Sequence, residues 1–200
     1  CNRIGLVNGI KEPKKVEKEK STQKSYNSIK LTWAKPSGAY GYQIYRSTSK
    51  NGKYTKIKNI NLASTLSYTD KNLTTNQTYY YKIRAFNKTN GKKLYGDYSS
   101  VVLAKPSLSK PTLSLSSKSK KAYIKYSKVA GASGYQIYRA KSKNGTYSNI
   151  KTITSGKTTS YTDSKLTKNK IYYYKVRAYK TIKNKKVYGP YSSVKYIKIK

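Results

Sequence analysis

Hydrophobic and polar positions alternate along much of this chain. Ile29, Leu31 and Trp33 alternate with Lys30 and Thr32. Tyr42 and Ile44 alternate with Gln43 and Tyr45, and Tyr79, Tyr81, Ile83 and Ala85 with Tyr80, Lys82, Arg84 and Phe86. A period of two sends successive side chains to opposite faces, so each run predicts a half-buried antiparallel strand. Asn51-Gly52 and Asn144-Gly145 lie between strand-like runs and predict hairpins, because both residue types tolerate positive φ. No stretch carries a helical period. Short strands separated by turn residues predict an all-β chain built of β-sandwiches.

The pattern occurs twice. GYQIYRSTSKNGKYTKIKNI at 41–60 returns as GYQIYRAKSKNGTYSNIKTI at 134–153, and YYYKIRAF at 79–86 returns as YYYKVRAY at 172–179. SYTD at 67–70 returns at 160–163, and YGDYSSV at 95–101 returns as YGPYSSV at 188–194. One offset relates every pair, Tyr42 to Tyr135 and Tyr95 to Tyr188 alike. That period is too long for a solenoid and suits two tandem domains. The expected organisation is a tether over 1–12, a first domain over 13–106 and a second over 107–200. Residues 11–25 are mostly charged and polar and read as a solvated tether or a frayed first strand. Pro106 and Pro111 mark a short, fairly stiff joint, so a two-domain rod is expected.

These residues resemble tandem fibronectin type III domains over about 13–200. Pro13 stands before the first strand, and Ile29-x-Leu31-x-Trp33 is similar to the family's second strand with its core tryptophan. Gly41 to Arg46 resembles the third strand. Leu73 followed by Tyr79, and Leu166 by Tyr172, resemble the family's tyrosine corner, which implies a hydroxyl bonded to the turn backbone. The corner's usual Pro-Gly is replaced by Thr75-Asn76 and Lys168-Asn169, and Asn accepts the left-handed turn position. Tyr126 stands where the first repeat has Trp33, so the second core is expected to pack differently, with a partner for the Tyr126 hydroxyl. The stretch from Asn87 to Lys93 reads as a long loop without an Arg-Gly-Asp motif. The lysine- and tyrosine-rich style is similar to type III modules of secreted and wall-associated Gram-positive proteins.

Composition narrows the chemistry. Of 200 residues, 44 are Lys or Arg, 6 are Asp or Glu and none is His, a formal charge of +38. Hydrophobic residues make up only 36%, so the 24 tyrosines must supply core volume through their apolar rings. A Ser or Cys nucleophile has no imidazole base. Glu12, Glu17 and Glu19 lie in the tether reading, and Asp70 and Asp163 read as turn-fixing residues. No carboxylate pair suits glycoside hydrolysis, and no cluster suits a metal. The chain is therefore expected to be no enzyme, with no catalytic, metal or cofactor site. The single cysteine, Cys1, excludes an internal disulfide. It is a candidate for lipidation, which would be the one route to a membrane, because no apolar run is long enough to span one.

Two features remain as candidates for binding. If Tyr42, Ile44, Tyr79, Tyr81 and Ile83 face the core, then Tyr45, Tyr80, Lys82 and Arg84 face outward. Tyr138, Tyr173, Lys175 and Arg177 repeat that face. Rings beside cations are a candidate ligand face for sugars or bases, and the alternative is that they ladder against one another to brace the sheet. Lysine clusters such as Lys92-Lys93 and Lys185-Lys186 favour anionic envelope polymers or polysaccharides as partners, with other surface proteins also in view. Only 5 of the 44 cations are Arg, which argues against sequence-specific reading of nucleic acid. The expected function is a non-catalytic, extracellular cell-envelope module for spacing, adhesion or surface interaction. Two alternatives stay open: an accessory segment of a secreted carbohydrate-active or wall-degrading enzyme, and a non-specific nucleic-acid-binding protein.

Overall fold

The computed structural model describes residues 11–200, which divide into two compact units after Pro106. All regular structure among them is strand. In the first unit β1 (Lys20–Ser25), β2 (Ser28–Thr32) and β5 (Ser67–Asp70) form one antiparallel sheet in the order β1-β2-β5. The second sheet runs β4 (Thr55–Ile60), β3 (Gly41–Ser47), β6 (Tyr79–Thr89), β7 (Lys92–Tyr98), with β8 (Val102–Ala104) also on β6. In the second unit β9 (Leu113–Lys118), β10 (Lys121–Tyr126) and β13 (Ser160–Asp163) form the smaller sheet. The larger one holds β11 (Gly134–Ala140), β12 (Ser148–Ile153), β14 (Ile171–Ile182), β15 (Lys185–Tyr191) and β16 (Lys195–Lys198). Each unit is a two-sheet sandwich.

The alternation seen in sequence is the alternation of burial. In the first core Ile29 and Leu31 of β2 meet Tyr42 and Ile44 of β3 and Tyr81, Ile83 and Ala85 of β6, all closed to solvent. Every repeat places a glycine at the start of its third strand for want of room. A Cβ on Gly41 would collide with the Ile60 carbonyl and lie 2.7 Å from the Phe86 ring. One on Gly134 would collide with the Ile153 carbonyl and lie 2.6 Å from the Tyr179 hydroxyl.

Several expectations hold at the level of single bonds. The Thr74 N–H donates to the Tyr79 hydroxyl at 2.9 Å, and the Thr167 N–H to that of Tyr172 at 3.3 Å. Asn76 and Asn169 take the left-handed conformation, with φ of 66° and 68°. The second core does pack differently: Trp33 meets Tyr42 with ring centres 5.3 Å apart, Tyr126 meets Tyr135 at 4.7 Å. The expected partner for Tyr126 is missing, however. Its hydroxyl is buried without a hydrogen bond, because the Tyr135 hydroxyl beside it already accepts the Val129 N–H and turns toward the Gly156 carbonyl.

Other expectations are overturned. Of the two readings of residues 11–25, the solvated tether fails and the first strand holds, as β1. Val16 is wholly buried, Lys14 N–H donates to Ser37 O, and Ala34 N–H donates to Glu17 O. β1 then pairs with β2 along its length, with one irregularity at Ser25. Two buried residues, Pro13 and Val16, and a line of backbone bonds secure a segment whose lysines stay in water. The β3–β4 and β11–β12 hairpins exist, but neither Asn51-Gly52 nor Asn144-Gly145 adopts positive φ. The chain there closes through Gly52 N–H to Ser49 O and Gly145 N–H to Ser142 O. The two-residue turns lie elsewhere. Asn90-Gly91, with φ of 47° and 77°, joins β6 to β7, so the long loop expected from Asn87 to Lys93 is mostly paired strand. Lys183-Asn184, with φ of 47° and 63°, joins β14 to β15.

Candidate functional site

The outer face of each larger sheet carries the candidate residues. In the first unit β3 and β6 run in register with Gln43 opposite Arg84 and Tyr45 opposite Lys82. The Arg84 guanidinium donates twice to Gln43 Oε1, at 3.0 and 2.8 Å, and once to the Tyr45 hydroxyl at 2.9 Å. Tyr45 in turn donates to the same Gln43 oxygen at 2.8 Å. The guanidinium lies 4.0 Å from the Tyr95 ring centre, and Tyr45 meets Tyr98 edge-on at 5.2 Å. Lys82 completes the stack with its ammonium 4.6 Å from the ring centre of Tyr54 and 4.0 Å from that of Tyr98. Burial, with the Tyr45 hydroxyl next in effect, raises the Tyr98 hydroxyl above its usual range.

The second unit repeats this ladder. Arg177 donates to Gln136 Oε1 and to the Tyr138 hydroxyl, and lies 3.8 Å from the Tyr188 ring centre. Lys175 sits 4.4 Å from the Tyr147 ring centre and 4.2 Å from that of Tyr191. Thus Tyr45, Lys82 and Arg84, and likewise Tyr138, Lys175 and Arg177, are brought together as a cation–π brace across the sheet. The Nε and Nη2 donors of Arg84 and Arg177 already have acceptors within the protein. Tyr80 and Tyr173 stand outside the hydrogen-bonded part of the brace, toward the other end of the face. Tyr80 lies opposite Leu103, and Tyr173 opposite Tyr196.

The interior holds a group that the sequence reading misassigned. Asp70 and Asp163 do not fix turns. Each ends its strand, is buried, and binds across to the opposite sheet. Asp70 accepts from Arg46 Nη1 at 3.1 and 2.9 Å and from the Tyr81 hydroxyl at 2.9 Å. Asp163 accepts from Arg139 at 3.2 and 2.9 Å and from Tyr174 at 2.9 Å. Burial, aided by the aspartate charge, pushes both tyrosine hydroxyls well above their usual range. A signal for this was present: Arg46 is in phase with the inward-facing Tyr42 and Ile44, and an inward arginine demands a carboxylate. Both aspartates are thereby committed to structure.

Among the described residues no group of His, Cys, Asp and Glu could hold a metal ion, and no helix is long and apolar enough to cross a membrane. Cys1, the lipidation candidate, lies outside the described residues.

No family model matches the chain, and no curated protein matches it in sequence. Solved structures do match. A two-domain fibronectin type III segment of chicken tenascin is similar over 88% of this chain and 97% of its own, with 17% identity and a TM-score of 0.52. The FN1-FN3 domains of chicken CNTN1 are similar over 94% of this chain and 67% of theirs, with 19% identity and a TM-score of 0.42. The tenascin likeness, added to the topology and the two tyrosine corners, places both sandwiches in the fibronectin type III fold.

Proposed function

We propose that this pair of fibronectin type III sandwiches is a non-catalytic module of the cell envelope that spaces or adheres by attraction to anionic polymers. Charge stoichiometry carries the reading. The chain has 44 cations and 6 carboxylates, a surplus of 44 − 6 = 38, and Arg46 and Arg139 already occupy two of those carboxylates in the interior. The lysines must therefore be neutralised from outside. Some are even opposed on neighbouring strands, Lys88 across from Lys93 and Lys118 across from Lys121. Like charges in that position repel, and a polyanion laid over them removes the penalty. An accessory carbohydrate-binding segment of a secreted enzyme is the second reading, favoured by the exposed ring of Tyr196.

A salt titration tests the proposal. Binding of the full chain to teichoic acid, duplex DNA and a neutral glycan is followed from low to high ionic strength. The expected result is binding to both polyanions that weakens log-linearly with salt. Preference for one DNA sequence, or neutral-glycan binding that persists at high salt, overturns it.

A further inference from the structure

The two outer faces differ at one end, and the difference is chemical. On β14 the outward residues run Ile171, Tyr173, Lys175, Arg177, following the alternation of the strand. β16 lies alongside, with Tyr196 directly opposite Tyr173 and Lys198 directly opposite Ile171. The Tyr173 and Tyr196 rings are 5.7 Å apart and tilted by 40°. Tyr196 is 67% exposed and Ile171 42%, so the outer surface of this pair is open to solvent. In the first repeat the same register position holds Leu103 against Tyr80, and Ile171 is matched by Thr78. The first repeat thus has the brace without the open aromatic pair.

What sits beside that pair defines its ligand. Lys175 follows Tyr173 on the same face, and Lys198 flanks it on the other side. Both are cations. Lys175 rests its ammonium on the Tyr147 and Tyr191 rings, which leave its charge uncompensated. Asp163, the one carboxylate side chain of this unit, is buried in its own cluster with Arg139 and Tyr174. An exposed aromatic surface bracketed by cations complements a ring that is apolar on its flat face and anionic at its rim. We propose that Tyr173 and Tyr196, with Lys175 and Lys198, form a docking surface for an acidic polysaccharide, a sugar ring stacking on Tyr196 and its carboxylates meeting the lysines. This rests on the polyanion reading above and narrows it to a polymer that carries both rings and charge, held by the second repeat.

The test compares two polyanions with the full chain. Polygalacturonate has sugar rings and carboxylates; polyglutamate has carboxylates without rings. Binding is measured at the same moderate salt for the native chain, for Tyr196→Leu and for Leu103→Tyr. Leucine at this register position is already accommodated by the first repeat, so Tyr196→Leu preserves the strand. The expected result is that Tyr196→Leu weakens polygalacturonate binding about tenfold, the scale of losing one stacked ring. Its binding to polyglutamate stays unchanged, and Leu103→Tyr strengthens polygalacturonate binding. Equal weakening for both polymers, or no weakening for polygalacturonate, overturns the inference while leaving general polyanion attraction standing. Failure of the native chain to bind either polymer overturns both.

Discussion

The two repeats agree in their buried polar cluster and disagree in the apolar core around it. Arg46, Asp70 and Tyr81 recur as Arg139, Asp163 and Tyr174 with nearly the same distances. Trp33, by contrast, is replaced by Tyr126, and Phe86 by Tyr179. Apolar groups of roughly similar volume exchange at modest cost, because packing asks for shape and little else. A buried ion pair permits no partial change, since removal of one partner strands the other in a low-dielectric interior. The comparison teaches which part of this core is free to vary. Phe86 to Tyr179 shows how variation is accommodated: the added hydroxyl donates to the Ile153 carbonyl at 3.2 Å. The exchange of Trp33 for Tyr126 shows the incomplete case in both repeats, since the indole N–H and the hydroxyl are each buried without a hydrogen bond.

The largest test of this contrast is Asp70→Ala set beside Asp163→Ala. Each change should cost its own repeat about 3 kcal/mol, since it strands an arginine and a tyrosine hydroxyl. Urea unfolding followed by fluorescence of Trp33, the single tryptophan, reports the first repeat, and far-ultraviolet circular dichroism reports both. A small cost at one aspartate and a large one at the other would end the equivalence of the clusters.

A smaller effect of opposite sign is expected at the odd hydroxyl. Tyr126→Phe should stabilise the second repeat by about 1 kcal/mol by removing a buried group without a partner. Tyr42→Phe should cost the first repeat about as much, because the Tyr42 hydroxyl donates to the Ala63 carbonyl at 2.9 Å. Calorimetry of the two variants checks both signs.

Alkaline pH gives the subtlest separation. In the first repeat burial raises the hydroxyl pKa of Tyr42, Tyr54, Tyr68, Tyr81 and Tyr98. A group raised on folding contributes stability that is present below the unfolded pKa, about 10 for tyrosine, and is lost as pH climbs through the folded value. The second repeat has raised hydroxyls at Tyr126, Tyr147, Tyr174 and Tyr191 but lowered ones at Tyr138 and Tyr172. For Tyr172 the Thr167 hydrogen bonds are the main cause. Lowered groups favour the folded state as they ionise. The first repeat should therefore lose stability faster above pH 10, seen as a Trp33 fluorescence transition that moves ahead of the dichroism transition. Coincident movement of both would remove the distinction.

Much of this was legible in the chain. The alternation of Tyr42, Ile44, Tyr81 and Ile83 is a direct imprint of a strand with one dry face, and duplication at a fixed offset made two sandwiches legible. The tyrosine corner was readable because its spacing is local. What escaped depends on contacts distant in sequence. Asp70 is far from Arg46 along the chain and meets it only across the sandwich, so a local reading gave it to a turn. Val16 was hidden by its lysine neighbours, although it and Pro13 are the buried side chains that seat the segment. The turn dipeptides misled in both directions: Asn51-Gly52 lies in a wider connection, while Asn90-Gly91 makes the tight turn that the same rule describes. On the outer face the residue types were readable and their pairing was not. Only the register shows that Arg84 is tied to Gln43 and that Tyr196 lies open beside Tyr173.

The tight β6–β7 and β14–β15 turns bear on survival among proteases. A trypsin-like enzyme cuts after lysine and arginine, and this chain carries 44 such residues. Cleavage requires a stretch of backbone to leave its neighbours and extend into the enzyme, which exposed, unpaired loop tips do readily. Lys88, Lys92 and Lys93, and equally Lys180, Lys185 and Lys186, sit in hydrogen-bonded strands up to the very edge of a two-residue reversal. Cleavage at these six lysines is therefore paced by how often their hairpin opens, whereas Lys183 stands in the β14–β15 reversal itself.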